Sequence, residues 1–313
     1  MTSRASDLRI VFVGAVRFSE HCLREVFRCG GNVVSVFTLP PERAARHSDY
    51  VDLGPVAQAH GVPAVHLRER ISAEANVSRV RDLSPDVIMV LGWSELISSD
   101  LISIPRIGCI GSHPALLPRN RGRHPLIWAL VNGLKESGLT FFFIDEGTDT
   151  GDILWQKPFP ITQDDDAGTL YKKIEDLAAE AIETFLPQLA GEAYPREKQD
   201  DQYATYLRKR TAEDGEIKWT ETPATIFNLV RALTHPYPGA HTFLRNTKVR
   251  VWQCALPDAD HLCGLDSDCG EVLFAEGGCL HVAAGERGVV VITDYEVLGD
   301  DTVSGGDVMG SLE

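Results

Sequence analysis

The stretch LRIVFVGAVRFSEHCLREVFRCGGNVVSVFTL, from Leu8 to Leu39, decides the fold class. Leu8 to Gly14 is rich in β-branched and aromatic residues, a helical pattern runs from Ser19 to Arg28, and Asn32 to Leu39 again favours a strand. A strand, a helix and a second strand in this order predict a parallel βαβ unit. The alternation continues to an apolar strand at Val87–Leu91, so we predict an α/β domain with an open, twisted sheet.

The second half of the chain predicts a smaller domain of different class. Amphipathic periodicity from Thr169 to Leu189 indicates a long helix that packs on the first sheet. The polar, proline-containing segment from Gly191 to Asp201 favours a linker. Beyond it, a helix at Pro223–Leu233 and several short alternating segments predict a small β-barrel. We therefore expect a first domain over residues 1–200 and a second over residues 206–313.

Composition excludes several classes of protein. The 313 residues carry 30 Lys plus Arg against 45 Asp plus Glu, a net charge of −15, which disfavours a nonspecific nucleic-acid binder. No run approaches the about 20 apolar residues of a membrane helix, and the loop at Gly14 lacks the GxGxxG pattern of dinucleotide-binding proteins. Seven cysteines without any CxxC spacing indicate reduced thiols, a cytoplasmic location and no metal site.

Two predicted core strands are each followed by residues that can carry chemistry. One strand ends near Ser112, which places His113 in the next loop, where an imidazole can act as acid or base. The other ends in the acidic loop from Asp145 to Asp152, and Asp149 in this loop can orient the imidazole. Both loops follow strands of one sheet, so we expect the two side chains to meet across a cleft. An isolated histidine more often only bonds a carbonyl, but the pair predicts acyl or group transfer.

Four motifs lie in this region in a fixed order: HPALLPRNRGRHP (113–125), WALVNG (128–133), SGLTFF (137–142) and DEGTDTGDIL (145–154). They resemble the formyltransferases that use N10-formyltetrahydrofolate, a family that includes glycinamide ribonucleotide, methionyl-tRNA and nucleotide-sugar amine enzymes. Three later segments, at 210–219, 228–233 and 236–240, look like the second domain of the tRNA and sugar members. The resemblance implies a Rossmann-like first domain with a mostly parallel sheet, an OB-like second domain and N10-formyltetrahydrofolate as formyl donor.

The resemblance also implies a catalytic triad of asparagine, histidine and aspartate. His113 and Asp149 stand at the positions of the histidine and the aspartate, but the asparagine, two residues before the histidine, is replaced by Gly111. In the implied reaction an amine attacks the formyl carbonyl, and protonated His113, steadied by Asp149, donates to the formyl oxygen. Ser112, Asn120 or an ordered water could replace the missing amide donor, and the sequence leaves these alternatives open.

By the same resemblance, the folate lies between the loop after Val90 and the acidic loop. The residues implied to contact it are Leu91, Gly92, Trp93, Leu96, Asp145, Glu146, Gly147 and Thr148. Trp93 could equally belong to the core, because a lone aromatic residue after a strand often does.

Charge decides the predicted acceptor. Residues 206–313 hold nine Lys plus Arg and 17 Asp plus Glu, a net charge of −8, which should repel tRNA. The charge therefore favours a small phosphorylated acceptor, and no nucleic-acid or membrane partner. Among the family members, the sequence looks most similar to the enzymes that formylate the amine of a UDP- or dTDP-linked 4-amino-deoxy sugar, because residues 46–50 resemble their short first-domain loop. The alternatives are methionyl-tRNA, another small amine such as hydroxyornithine, and a folate- or sugar-nucleotide-binding module without turnover. A homodimer is an open possibility.

The predicted acceptor site draws on both domains. The residues expected to contact the sugar nucleotide are Phe18, Ser19, His47, Ser48, Tyr50, Arg119, Asn120, Arg121, Gly122, Arg208, Lys209, Arg231 and Tyr237. Arginine suits a diphosphate because its planar guanidinium forms paired hydrogen bonds. Arg231 could instead only tie its helix to a neighbour, and Tyr237 could only cap a turn.

Overall fold

A computed structural model of the chain describes residues 4–46, 49–257, 267–299 and 301–310, apart from the side chains of residues 44–46. Within these residues the chain forms two compact units. The first comprises the chain up to Pro125 with Ser137–Phe159 and Lys172–Leu207, and the second comprises Leu126–Glu136, Pro160–Tyr171 and the chain from Arg208 onward. Each unit therefore combines segments that are separate in the sequence.

Strands and helices alternate in the first half of the chain, and strands dominate its last third. In chain order, the described strands are β1 (Arg9–Val13), β2 (Asn32–Thr38), β3 (Ala64–His66), β4 (Val87–Val90), β5 (Gly108–His113), β6 (Arg121–Gly122), β7 (Glu136–Phe143), β8 (Ile153–Pro160), β9 (Tyr206–Leu207), β10 (Ala240–Leu244), β11 (Thr247–Ala255), β12 (Val272–Glu276), β13 (Cys279–Ala284), β14 (Gly288–Val297) and β15 (Met309–Gly310). The described α-helices are α1 (Arg17–Arg28), α2 (Gly54–Ala59), α3 (Glu74–Asp82), α4 (Ser99–Ile102), α5 (Pro125–Val131), α6 (Ala167–Ala190) and α7 (Pro223–Leu233).

The first unit is built on a sheet whose described strands lie in the order β3-β2-β1-β4-β5-β7-β8. The pairs among β1 to β5 are parallel, which confirms the predicted α/β class with a mostly parallel, Rossmann-like sheet. β7 runs antiparallel to β5, with Ile110 opposite Phe143 and His113 opposite Thr140. The acidic loop after β7 therefore begins beside Cys109 and Ile110, in the first half of β5.

Buried apolar side chains explain the central strands of this sheet. The residues of β1 from Ile10 to Val13 and the whole of β4 are buried, as expected for strands covered on both faces. Helix α1 buries Cys22, Leu23 and Val26 on one face and exposes charged residues on the other. The amphipathic spacing of α1 thus packs it on the sheet directly after β1.

The second unit contains an antiparallel sheet with the described order β12-β13-β14-β11-β10-β15. Shifts in register between β11 and β14 near Gln253 mark bulges, which bend the paired strands. Helix α7 begins at Pro223, directly after Thr222, whose hydroxyl accepts the N–H of Thr225, and it ends at Leu233. These features confirm the predicted class of the second, small β-rich domain.

Within the described residues, no helix is both long and apolar enough to cross a membrane. Nor does this part of the chain group three or more His, Cys, Asp or Glu residues that could hold a metal ion. The six described cysteines carry free thiols, and Cys263 lies outside the described residues.

Candidate active site

The predicted pair, His113 and Asp149, lies together in the first unit. His113 is the last residue of β5 and is 4% exposed. Its Nδ1 lies 3.6 Å from Oδ2 of Asp149, and its Nε2 lies 2.7 Å from the backbone oxygen of Asn120. The imidazole is therefore held between a carboxylate and a carbonyl, largely shielded from solvent.

These two neighbours determine which protons the imidazole needs. The carbonyl of Asn120 can only accept, so Nε2 of His113 must donate to it. An ionised Asp149 carboxylate also only accepts, so it favours a proton on Nδ1. With a carbonyl 2.7 Å from Nε2 and a carboxylate 3.6 Å from Nδ1, the imidazole lies where it can exchange a proton with a ligand.

Asp149 has an uncommon backbone conformation for a residue other than glycine. Its φ is +55°, in the left-handed region. Its Oδ2 accepts a hydrogen bond of 2.8 Å from the N–H of Gly122. At the start of the loop, Oδ1 of Asp145 accepts bonds from the N–H of Gly147 (3.0 Å) and the hydroxyl of Thr150 (2.6 Å). The acidic loop thus has a defined shape that presents the Asp149 carboxylate to both β5 and β6.

Because Gly122 has no side chain, β6 can lie close to β9 and present the Gly122 N–H to Asp149. Its φ is +108°, and a Cβ at this position would lie only 2.3 Å from the backbone oxygen of Leu207 on β9. Any larger residue would push β6 away from β9 and displace the N–H that Asp149 accepts.

Gly111, which stands where the resemblance implies asparagine, is surrounded by apolar groups. A Cβ at Gly111 would lie 3.0 Å from Cγ1 of Ile144 and 3.2 Å from Cε1 of Phe142. Ser112 is half-buried and, by the alternation of side chains along β5, projects to the opposite face from His113. Apolar side chains therefore border the space into which the asparagine would project.

A pocket beside the acidic loop lies entirely in the first unit. Its apolar lining includes Ile107, Cys109 and Ile144, and the exposed carboxylates of Asp145 and Glu146 also line it. Burial raises the pKa of the Cys109 thiol to about 12, so this part of the lining is uncharged at neutral pH. An apolar pocket edged by carboxylates suits a flat ring that carries N–H donors.

The other loop implied to contact the folate follows β4. Leu91 is buried, and its backbone oxygen accepts a bond of 2.7 Å from the hydroxyl of Ser19. Trp93 packs against the core of the first unit, and its buried Nε1 has no hydrogen-bond partner among the described residues. Gly92 has a φ of +64°, and Leu96 is 81% exposed. The two remaining candidates of the acidic loop are also exposed: Gly147 and Thr148.

Several residues predicted to contact the acceptor have intramolecular partners in the first unit. Phe18 and Ser19 are buried, and the Ser19 hydroxyl accepts the N–H groups of the two residues before α1. The hydroxyl of Tyr50 donates to the backbone oxygen of Leu39 at 2.9 Å. His47 and Ser48 lie outside the described residues. These contacts explain the positions of the side chains, and their predicted ligand roles stay predictions.

The predicted residues between β5 and α5 differ in exposure. Arg119 is exposed, Asn120 and Gly122 are half-buried, and Arg121 is only 1% exposed. The structure also brings Gln199 to this site, and the sequence reasoning did not identify it. Gln199 lies in the segment that was interpreted as a linker, where no motif distinguishes it from other polar residues.

The remaining candidates belong to the second unit. Arg208 and Lys209 are exposed, and a guanidinium N–H of Arg208 donates to Oδ2 of Asp214 at 2.7 Å. This bond is the main reason why the pKa of Asp214 lies well below its usual range. Tyr237 is half-buried, and its N–H donates to the backbone oxygen of Thr234 at 3.0 Å, as in a turn.

Arg231 on α7 forms a dense set of internal bonds. It is 8% exposed, and its Nη1 donates to the backbone oxygens of Thr162 (2.7 Å) and Asp165 (2.9 Å). Its Nε donates to Oδ1 of Asn228 at 2.9 Å. Removal of the guanidinium would leave the buried backbone oxygen of Asp165 without this donor, which is costly.

We expect Arg231→Met to lower the free energy of unfolding by about 2–4 kcal/mol, because the carbonyls lose charged donors while most of the side-chain volume is kept. Chemical denaturation of the full chain measures the change. Arg245→Met is the matched control, since Arg245 is an exposed arginine of the same unit with a single ion pair to Asp307. An equal effect of the two substitutions would contradict the internal role of Arg231.

Comparison with known proteins extends these observations. Residues 8–186 match the family model described as formyl transferase, and residues 209–312 match the model of the formyl transferase C-terminal domain. The methionyl-tRNA formyltransferase of Geobacter sulfurreducens is 34% identical over 288 residues, which cover 91% of this chain and 88% of the relative. That of Citrifermentans bemidjiense is 34% identical over 311 residues, 98% of this chain and 95% of the relative.

A solved structure with the same fold is an N-formyltransferase from Helicobacter canadensis in complex with folinic acid and dTDP-3-aminofucose. It superposes with a TM-score of 0.67 at 18% identity, and covers 92% of this chain and all of the other. Likeness at this identity concerns the fold alone.

These matches overturn the predicted nucleotide-sugar acceptor. Relatives that are about a third identical along both units are methionyl-tRNA formyltransferases, whereas the sugar enzyme is a distant structural neighbour. The prediction failed because it summed charge over residues 206–313. The affinity of a protein for a polyanion depends on the few cations that face its phosphates, and these can lie on a domain whose net charge is negative.

Proposed function

Because this chain belongs to the formyltransferase family, we propose that it transfers the formyl group of N10-formyltetrahydrofolate to the amino group of methionyl-tRNA. The family match confirms the predicted formyl transfer and the predicted formyl donor. One observation supports the proposed acceptor. The sequence of this chain is about a third identical to those of methionyl-tRNA formyltransferases over nearly their whole length, second domain included.

The pocket beside the acidic loop is our candidate for the pterin end of the donor. Cys109 and Ile144 offer an uncharged, apolar surface to a flat ring, and Asp145 and Glu146 offer acceptors to its N–H edge. Leu91, Gly92, Trp93 and Leu96, on the loop after β4, do not line this pocket, and their contact with the donor stays a prediction. When bound, the donor supplies the formyl carbon as electrophile.

The reaction assigned to the site follows from the protons of His113. Its Nε2 exchanges the carbonyl of Asn120 for the formyl oxygen and donates a proton as negative charge develops there. The Asp149 carboxylate, 3.6 Å from Nδ1, stabilises the protonated ring before this transfer. The ring, neutral after the transfer, accepts the proton that the amine of the acceptor loses on attack. It passes this proton to N10 of the donor as the bond between N10 and the formyl carbon breaks, and the hydroxyl of the adduct returns its proton to the ring, which restores the carbonyl of the formamide.

Asn120 is our candidate for the amide donor that Gly111 cannot supply. Its backbone oxygen lies 2.7 Å from Nε2 of His113, so its side chain belongs to the residue that directly contacts the proposed proton donor. The hydroxyl of Thr205 accepts the backbone N–H of Asn120 at 2.8 Å and lies 3.5 Å from the carboxamide oxygen of Asn120. These contacts orient Asn120. The amide N–H groups of the carboxamide can then point toward the formyl oxygen.

A comparison of Gly111→Asn with Gly111→Leu tests whether a donor at position 111 helps. Both side chains have similar size and must displace Ile144 by a few tenths of an ångström, but only asparagine offers an N–H. We expect kcat of Gly111→Asn to exceed that of Gly111→Leu by at least ~10-fold, since single donors at such sites contribute about 10²–10³. Equal rates in the two variants would mean that position 111 does not face the formyl oxygen.

For the acceptor itself, we propose that the exposed cations near the pair and at the start of the second unit contact RNA phosphates. Arg119 and Lys209 are exposed, and Arg208 remains largely exposed despite its pair with Asp214. Loss of phosphate contacts would raise KM for the acceptor and weaken its dependence on salt, without a change in KM for the donor.

A direct assay tests the proposed function. The protein is incubated with N10-formyltetrahydrofolate and methionyl-tRNA, and N-formylmethionyl-tRNA is measured, with uncharged tRNA and free methionine as controls. We expect formylation of methionyl-tRNA only. Equal transfer to free methionine, or no transfer to methionyl-tRNA while the donor is bound, would contradict the proposal. The cytoplasmic location and the homodimer stay predictions, and sedimentation measures the second.

A further inference from the structure

The guanidinium of Arg121 is buried directly beneath the candidate site. Arg121 is 1% exposed, although it lies among residues that are half-buried or exposed. Its Nη1 donates to the hydroxyl of Tyr206 at 2.8 Å, and its Nη2 donates to Oδ1 of Asp201 at 2.8 Å. Because burial of a charge is costly, such a group persists where partners satisfy its donors. The guanidinium is therefore a fixed part of the interior and is not accessible to a phosphate.

The remaining bonds of Arg121 lead to Gln199. Nε and Nη2 of Arg121 donate to Oε1 of Gln199 at 3.1 and 2.8 Å. On the other side, Nε2 of Gln199 donates to the backbone oxygen of Asp149 at 2.9 Å and to that of Gly151 at 2.7 Å. A guanidinium can only donate and a carbonyl can only accept, so the orientation of the amide is unambiguous. Gln199 thus connects the buried cation to the acidic loop.

We propose that Gln199, held by Arg121, is a positioning residue that fixes the Asp149 carboxylate against His113. The inference rests on the proposed function, because it acts through the catalytic pair. The two hydrogen bonds that the Gln199 carboxamide donates hold the backbone on both sides of Thr150, where the chain leaves the left-handed conformation of Asp149. From that backbone the carboxylate reaches both the N–H of Gly122 and the imidazole.

A carboxamide side chain fits this position chemically. The side chain must accept two bonds from Arg121 and donate two bonds to the loop, and a carboxamide has both capacities. A glutamate would keep the bonds to Arg121, but its second oxygen would face the carbonyls of Asp149 and Gly151 without a proton. Gln199→Glu therefore changes the loop contacts selectively while it preserves side-chain length and the partner of the buried cation.

A double-mutant cycle separates positioning from general structural damage. We expect Gln199→Glu to lower kcat by at least ~10-fold, because displacements of about 1 Å can cost 10²-fold in rate. In the background of Asp149→Asn the same substitution should cost less than about 2-fold, because the carboxylate through which it acts is absent. Gln202→Glu is the matched control, since Gln202 is an exposed glutamine three residues away whose carboxamide donates to Asp200 within the described residues. We expect it to change kcat by less than about 2-fold.

A second measurement does not depend on the acceptor. The N–H of Gly122 is bonded to Asp149 Oδ2, so its hydrogen-exchange rate reports whether the carboxylate stays in place. We expect exchange at Gly122 to be at least ~10-fold faster in Gln199→Glu and unchanged in Gln202→Glu, with the midpoint of thermal unfolding shifted little. Unchanged exchange, or an equal loss of kcat with and without Asp149, would overturn the inference. An inactive wild-type protein whose Gly122 responds as expected would instead count against the proposed acceptor alone.

Discussion

Substitution of His113 by alanine is expected to lower kcat by at least ~10², within the range of about 10²–10⁴ that general acid–base catalysis contributes. The imidazole is the only group that contacts both the carboxylate of Asp149 and the carbonyl of Asn120 in the described part of the chain. In the proposed reaction, the substitution removes the group that donates a proton to the formyl oxygen. Formylation of methionyl-tRNA under single-turnover conditions measures the loss, so that product release does not conceal it.

Two controls accompany this variant. His60→Ala removes an exposed histidine of the same unit, directly after α2, and should leave kcat within about 2-fold of wild type. Added imidazole should restore part of the activity of His113→Ala, because the substitution leaves a space of matching shape. If His113→Ala kept more than a tenth of the wild-type rate with its fold intact, another residue would be the acid.

Substitution of Asp149 by asparagine has the second largest expected effect, a fall in kcat of at least ~10². The carboxamide can still accept the N–H of Gly122, so the loop keeps its shape, but the negative charge beside Nδ1 of His113 is lost. The expected change is therefore in kcat and not in KM for the donor, because the carboxylate acts on the proton donor.

Asp100→Asn is a matched control for this charge removal. Asp100 is exposed on α4 and belongs neither to the pair nor to the pocket. It should leave both kcat and KM for N10-formyltetrahydrofolate unchanged. If Asp149→Asn raised that KM by the same factor by which it lowered kcat, a binding role for the carboxylate would replace the assigned one.

The predicted formyl donor was confirmed and the predicted acceptor was wrong, and this difference has a physical cause. The donor was inferred from long motifs that include His113 and the acidic loop, so it rested on side chains that contact each other in the structure. The acceptor was inferred from a resemblance of the short loop at residues 46–50 and from the summed charge of residues 206–313, in which acidic residues far from any ligand count as much as Arg208 or Lys209. Summed charge governs solubility and long-range repulsion, but recognition depends on local contacts.

The elements that could be predicted are those whose signals are local. Helix α7 has the predicted bounds because Thr222 caps it, Pro223 starts it and an apolar stripe follows. The short β3 and the half-exposed β8 escaped prediction, because three residues are too few for a period and the sequence of β8 mixes buried and exposed positions.

The sequence by itself determined the parallel βαβ start of the chain, the long amphipathic helix α6 and the identity of the residues that can exchange a proton, since each follows from neighbours within a few positions. Only the tertiary structure decided that β7 runs antiparallel to β5 and that Arg121 is buried beneath the site with Gln199 as its link to Asp149. Strand direction and the partner of a buried charge depend on contacts between segments far apart in the chain. No local pattern of residues encodes those contacts, and they form only when the chain is packed.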